Sequence, residues 1–169
     1  MRDMFIAAIA LLLASVASAS AIQLGWAEDL SAPNDATYQF TDVQVIGGDV
    51  YMSGYTRVSQ SGVAWKRSGG VWTNLQISGI SYLNTIHGTG SFDIWAGGNS
   101  GVHHYDGATW TSVPAGVSGE VKNIVALNAS NVVALGVGGS VRMTTDGGAT
   151  WSGITGGRGG ACAGGTAIA

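Results

Sequence analysis

The stretch "TTDGGATW", Thr144–Trp151, has two fainter copies upstream. "HYDGATW" at 104–110 keeps Asp106, Gly107, Thr109 and Trp110 and is one residue shorter, while "RSGGVW" at 67–72 keeps the glycines and Trp72. An aspartate that turns its carboxylate onto nearby backbone N–H groups, glycines free to adopt positive φ, a β-branched residue and a large apolar ring together describe a tight turn between two strands. The segments just upstream repeat in step. "SGVAWK" (61–66), "SGVHHY" (100–105) and "GSVRMT" (139–144) place Val63, Val102 and Val141 39 residues apart both times.

The rest of each unit follows. Strand-like runs "DVYMSGY" (49–55), "DIWAGGN" (93–99) and "NVVALGV" (131–137) each open on Asp or Asn, a turn residue. Before them lie "TDVQVIGG" (41–48), "LNTIHGTG" (83–90) and "KNIVALNA" (122–129); after the valine strands come "VWTNLQ" (71–76), "TWTSVP" (109–114) and "TWSGIT" (150–155). Four short strands per ~40 residues, repeated, mark the blades of a β-propeller. No window places apolar residues at helical spacing, and the coils of a parallel β-helix, the main rival, are usually shorter. The expected fold is all-β, with about three four-stranded antiparallel blades over residues 24–155.

Composition narrows the function. Glycine is abundant at 28 residues and proline rare at 2, as short strands and tight turns require. The net charge is −3, and the seven basic residues are scattered, which argues against a nucleic-acid surface. A single cysteine, Cys162, allows no internal disulfide and no zinc site of known spacing. At the N-terminus, Arg2 precedes the apolar run Ile6–Val16 and the small residues Ala17-Ser18-Ala19. This reads as a secretory signal peptide, residues 1–19, cleaved after Ala19, with Ala21 the alternative. The run is shorter than the ~20 residues of a spanning helix. A secreted or periplasmic protein with no transmembrane segment after cleavage is expected.

Thr144, Asp146, Gly148, Thr150 and Trp151 match the pattern S/T-x-D-x-G-x-T-W at every position. The chain thereby resembles the Asp-box, or BNR-repeat, propellers, which include sialidases, the photosystem II assembly factor family, sortilin-type receptors and some endoglucanases. The middle unit, "FDIWAGGNSGVHHYDGATW", also resembles bacterial secreted propeller repeats. The resemblance covers about residues 24–155. It implies a propeller fold in which the box is a structural turn at the outer edge of a blade, away from the central site. The box residues therefore imply no catalysis. If the Trp151 indole is a buried plate, Trp151→Ala costs roughly 3–5 kcal/mol.

Counting blades leaves a remainder. "GWAEDL" (25–30), with Trp26, reads as an isolated fourth strand, and residues 156–169 as a Gly-rich tail or the start of a missing blade. Closed single-chain rings have about four to eight blades, and three leave open flanks. A fragment, a homo-oligomer that completes the ring, and an open arc all accommodate the count.

Chemistry is sparse. A sialidase needs an arginine cluster and a tyrosine nucleophile with a glutamate partner. Arg57, Arg67, Arg142 and Arg158 lie in no such context, and the only glutamates are Glu28 and Glu120. Asp49 and Asp93 open strands, where a turn role is the simpler account. His103 and His104 point to opposite faces of a strand and His87 lies on another, so no metal or cofactor is expected. Asn128-Ala129-Ser130 fits the N-glycosylation pattern. Tyr55, Asn99 and Tyr105, at strand ends, are the candidate ligand-facing residues. The expected function is non-catalytic binding of a glycan or protein, or scaffolding; the alternative is a remnant of a sialidase-like glycoside hydrolase.

Overall fold

The structure is a computed structural model and describes residues 31–33 and 36–154. The signal peptide 1–19, the strand expected at 25–30 and the tail 156–169 with Cys162 lie outside the described residues. Among the described residues no helix is long and apolar enough to cross a membrane.

Three antiparallel sheets of four strands follow one another along the chain. The first blade is β1 (Tyr38–Ile46), β2 (Asp49–Thr56), β3 (Gly62–Ser68) and β4 (Val71–Asn74). The second is β5 (Leu83–Gly90), β6 (Asp93–Gly98), β7 (Gly101–Tyr105) and β8 (Trp110–Val113). The third is β9 (Val121–Ala126), β10 (Val132–Gly136), β11 (Val141–Thr144) and β12 (Ser152–Gly153). Within each blade every strand pairs with its successor, the simplest outcome for short β-rich runs separated by glycine turns. The last strand is shorter than "TWSGIT" suggests, because Trp151 stays in the turn.

The ladders correct one alignment. Val102 lies opposite Gly97 and Val141 opposite Leu135, but the residue in that place in the first blade is Ala64, opposite Ser53. Val63 is therefore one position out of step. Counted from these register-matched residues, Trp72 and Trp110 stand equally far along the chain and Trp151 stands further, so equal sequence spacing of the valines does not carry equal register.

The first strand of every blade is irregular at the same place. The register skips Thr41 in β1, Asn84 in β5 and Lys122 in β9. An extra residue in one strand bends it and increases its twist. β5 also skips Thr89. With the shared bulge in every blade, β1, β5 and β9 come together on the inside, while β4, β8 and β12 lie on the outer edges.

Blades are glued by two apolar seams. Ile46, Tyr51 and Ala64 of the first meet Leu83, Ile86, Ile94 and Ala96 of the second, with Ile80 from the linker. Trp95 and Val102 of the second meet Val121, Ile124, Ala126, Val132 and Ala134 of the third, with Ala115. These side chains are nearly all below a tenth exposed, and each fully buried Val, Leu or Ile contributes about 1.5–3 kcal/mol against exposure. Gly97 sits at the second seam because a Cβ there would lie 2.4 Å from Val121 Cγ1. The fully buried indole is Trp95, at 0% exposure. Trp151 is half-buried and packs edge-on against it, centroids 6.0 Å apart. The large cost expected for Trp151→Ala therefore moves to Trp95.

Candidate functional site: the axial groove and the turns around it

The three inner strands border a groove of about 440 Å³, lined by Thr41, Asp42, Gln44, Asn84, Thr85, His87, Lys122, Asn123, Ile124 and Val125. Its polar side chains come from alternating positions of strands whose other face is in the seams. Many of them are already engaged between blades. Asp42 Oδ2 accepts from Ile86 N–H at 2.9 Å and from the Thr85 hydroxyl at 3.1 Å, while Gln44 Nε2 donates to Oδ1 at 3.3 Å. The bulge residues act alike: Thr41 Oγ1 donates to the Leu83 carbonyl at 2.7 Å, and Asn84 Nδ2 to the Val121 carbonyl at 2.8 Å. One blade further on, Ile124 N–H donates to Thr85 Oγ1 at 3.4 Å and Ala126 N–H to His87 Nδ1 at 3.2 Å.

What remains for a ligand is the Gln44 side-chain carbonyl, the other edge of the His87 ring, the Lys122 ammonium and the Asn123 amide. Burial holds His87 below the usual histidine value, opposed by nearby Asp42, so its ring is neutral at pH 7. Lys122 Nζ reaches Glu120 Oε2 at 2.6 Å. Lys122 first, then Asn84, keeps the Glu120 carboxyl below its ordinary value against a smaller burial effect. The groove thus offers uncharged donors and acceptors with one ammonium. Its carboxylate, Asp42, has both oxygens occupied. Such a set matches the amides of an extended polypeptide better than it matches glycoside hydrolysis, which needs a pair of free carboxyls at the reacting bond.

The "TTDGGATW" turn lies elsewhere, between β11 and β12 on the outer edge. Asp146 Oδ1 accepts from the Thr144 hydroxyl at 2.7 Å and from Thr150 N–H at 2.9 Å, and Oδ2 accepts from the Thr150 hydroxyl at 2.6 Å. These bonds, Thr150 first, lower the Asp146 pKa to about 2. Thr144 Oγ1 accepts from Gly148 N–H, and Trp151 Nε1 donates to the Gly148 carbonyl at 3.2 Å. Gly147 and Gly148 have φ of 69° and 92°. The carboxylate is used up in closing the turn.

In the fainter copy, Asp106 Oδ1 accepts from Thr109 N–H at 2.8 Å and Ala108 N–H at 2.9 Å, which hold its carboxyl below the usual range. Gly107 again has positive φ, 98°. Trp110 departs from Trp151: its Nε1 donates to the Leu75 carbonyl of the first blade at 3.1 Å. It therefore ties two blades together instead of closing its own turn. Trp72, in the faintest copy, is half-buried on β4.

The other sequence candidates divide. Tyr55 and Asn99 lie at one end of the blades and meet through Tyr82. The Tyr55 and Tyr82 rings are 4.4 Å apart, and Asn99 N–H donates to the Tyr82 carbonyl at 3.2 Å. Tyr105 is at the opposite end of its blade, paired with Ile94; its hydroxyl donates to the Gly107 carbonyl at 2.9 Å and its ring tilts against Trp110. It cannot share a ligand site with the other two. Asp93 does more than open a strand. Trp95 Nε1 donates to its Oδ1 at 2.8 Å, His104 Nε2 lies 2.9 Å from the same oxygen, and Thr89 donates to Oδ2. Burial raises its pKa, but the bonds from Thr89, His104 and Trp95 together leave it lowered. Asp49 pairs with Lys66 Nζ at 2.9 Å. Asn128 caps an exposed turn, its Oδ1 accepting from Ser130 and Asn131 N–H. Among the described residues no three His, Cys, Asp or Glu side chains are grouped to hold a metal ion.

The groove residues Asp42, Gln44, His87, Lys122 and Asn123 were not singled out from the sequence as ligand-facing. The signal was present: in "TDVQV", "NTIHG" and "KNIVA" polar residues recur just before each Asp- or Asn-led strand. It is weak because alternation is equally what a solvated strand shows.

No protein-family model matches the chain. No curated protein matches it either. Solved structures do. The chain is similar to a structure of YCF48 bound to a D1 peptide, with 18% identity and a TM-score of 0.58, covering 70% of this chain and 40% of that one. It is also similar to YCF48 from Cyanidioschyzon merolae, with 18% identity and a TM-score of 0.56, covering 73% and 42%. The chain spans about two fifths of the length of these structures. At this identity the likeness concerns fold: three antiparallel four-stranded blades that match propeller structures.

Proposed function

We propose that this chain is a non-catalytic propeller scaffold that holds an extended segment of another protein in its axial groove. In this reading it belongs with the Asp-box propellers and works outside the cytoplasm once residues 1–19 are removed. The observation that carries the reading is the chemistry left free in the groove. Gln44, His87 and Lys122 offer an acceptor, a neutral ring and an ammonium, while the single carboxylate, Asp42, is consumed by Ile86 N–H, Thr85 and Gln44. The complex of a structurally similar protein with a peptide is consistent with this use of the fold. The bonds within 144–151, with Asp146 facing its own turn, support the Asp-box assignment and a structural role for the motif.

The test is an array of overlapping peptides probed with the chain from residue 20 onward. Saturable binding is expected, weakened about tenfold by Gln44→Ala and again by Lys122→Ala, the loss of roughly one charge-assisted or neutral hydrogen bond each. A blank array with folded protein removes the reading. Binding to a glycan array instead would replace polypeptide by carbohydrate as the ligand.

A further inference from the structure

The two outer flanks of this three-blade unit are the two halves of an interface that the chain already builds twice. The ladders place Phe40, Leu83 and Val121 at one register position, Val43, Ile86 and Ile124 at a second, and Val45, Gly88 and Ala126 at a third. In the second and third blades the apolar side chains at these positions are sealed: Leu83, Val121 and Ile86 are 0% exposed, Ile124 1% and Ala126 6%. In the first blade, Val43 is 59% and Val45 72% exposed. The far flank of the third blade has the converse deficit. Val133 stands where Tyr51 and Trp95 stand in the other blades, each 0% exposed, yet it is only half-buried, like Val125 beside it.

The polar groups are cut at the same plane. At the bulge, Thr41 and Asn84 each donate to a carbonyl of the next inner strand, Leu83 and Val121. The third bulge residue is Lys122, whose equivalent target would be the carbonyl of Phe40. One residue on, Asp42 and Thr85 each accept a backbone N–H of the next inner strand, from Ile86 and Ile124. The third residue of that series is Asn123, whose equivalent donor would be Val43 N–H. Among the described residues the Asn123 side chain makes no hydrogen bond, although it is half-buried.

We propose that two copies of this chain associate head to tail, the third blade of one docking on the first blade of the other. Lys122 and Asn123 of one copy then meet the Phe40 carbonyl and the Val43 N–H of the second, and Val125 and Val133 cover Val43 and Val45. The contact is heterologous, so it stops growing only when a ring closes. Lys122 and Asn123 also border the axial groove, so the mass is read without added peptide, and a blank peptide array leaves this proposal standing. Second-copy occupancy follows from continuity: the first blade's free flank has the register and the apolar positions that the chain's own second and third blades present to their neighbours.

Light scattering on the chain from residue 20 onward tests this, with circular dichroism reporting the fold of each variant. The wild type is expected at twice the mass of one chain or a higher multiple. Val43→Lys and Val133→Glu are both exposed enough to fold, and each alone is expected to run as a monomer. Their equimolar mixture is expected to recover the dimer, because each retains the flank that the other has lost and the new charges attract. A wild-type monomer overturns the proposal, whether because another protein or a further blade takes the flank. So does an oligomer unaffected by the two variants, or a mixture that stays monomeric while both variants remain folded.

Discussion

The seam between the first and second blades and the seam between the second and third solve one problem with different side chains. In both, an N–H of the inner strand, which is the edge strand of its own sheet, takes an acceptor from the blade before it. Asp42 supplies a carboxylate to Ile86, at 2.9 Å. Thr85 supplies a hydroxyl to Ile124, at 3.4 Å. The second seam adds His87 Nδ1 as an acceptor for Ala126 N–H. Apolar filling differs too: Tyr51 and Ser53 stand in the first seam where Trp95 and Gly97 stand in the second. A larger ring beside a glycine occupies the place of a smaller ring beside a serine. The lesson is that the backbone sets what each seam needs, and any short polar group plus a suitable volume meets it.

The comparison can be broken most severely at the second seam's ring. Trp95→Ala is expected to cost about 3–5 kcal/mol in urea unfolding, because a fully buried indole leaves a cavity. Half-buried Trp151, substituted in the same way, is expected to cost clearly less. Next comes the polar half of the first seam. Asp42→Ala strands Ile86 N–H and the Thr85 hydroxyl and is expected to cost about 1–3 kcal/mol, against about 0.5–1.5 kcal/mol for Thr85→Val. If the two variants cost the same, the carboxylate gives the first seam nothing beyond what a hydroxyl gives the second.

Gly148→Ala probes how the Asp146 turn meets the second seam. It puts a Cβ 2.7 Å from Trp95 Cη2 at a φ of +92°, and about 1–2 kcal/mol is expected from the backbone alone. In the Asp106 turn a Cβ on Gly107 would meet Phe92 instead, and there Asp106→Ala should lower the melting temperature less than Asp146→Ala does, since Asp146 closes its turn with the shorter hydroxyl bonds.

The smallest effect separates the seams by pH. His87 has a folded pKa below its unfolded value, because burial disfavours the charged ring. Its contribution is therefore complete above about pH 6.5 and is lost as the pH falls through the lowered value, when the ring would present an N–H to Ala126 N–H. Buried His103 is shifted the same way. The melting temperature should fall between about pH 7 and pH 5, and His87→Gln should shallow that slope without removing it. A slope identical to the wild type would take His87 out of the second seam's stability.

Much of the architecture was legible because turns and strand alternation are local properties. The "DG" turns with their tryptophans, the Asp- and Asn-led strands and the ~39-residue period predict the blade boundaries, and the strands lie where those boundaries put them. The site was less legible. Tyr55 and Asn99 look alike to Tyr105 in sequence, each closing a strand, but antiparallel pairing sends them to opposite ends of a blade. Asp93 looks like a turn residue until Trp95 and His104 are brought onto it from two different strands.

By itself the amino-acid order determined the class of fold and the closed chemistry of the Thr144–Trp151 turn, which rest on residues within about ten positions of one another, and the three blades among the described residues, which rest on the ~39-residue period. Only the tertiary structure decided which residues face the axis and which flanks stay open. Asp42 meets Ile86 across 44 residues, and Val43, at the register position of Ile86, is exposed because none of the described blades packs against it. Burial belongs to a residue's neighbours, and in a propeller those neighbours arrive from the next repeat.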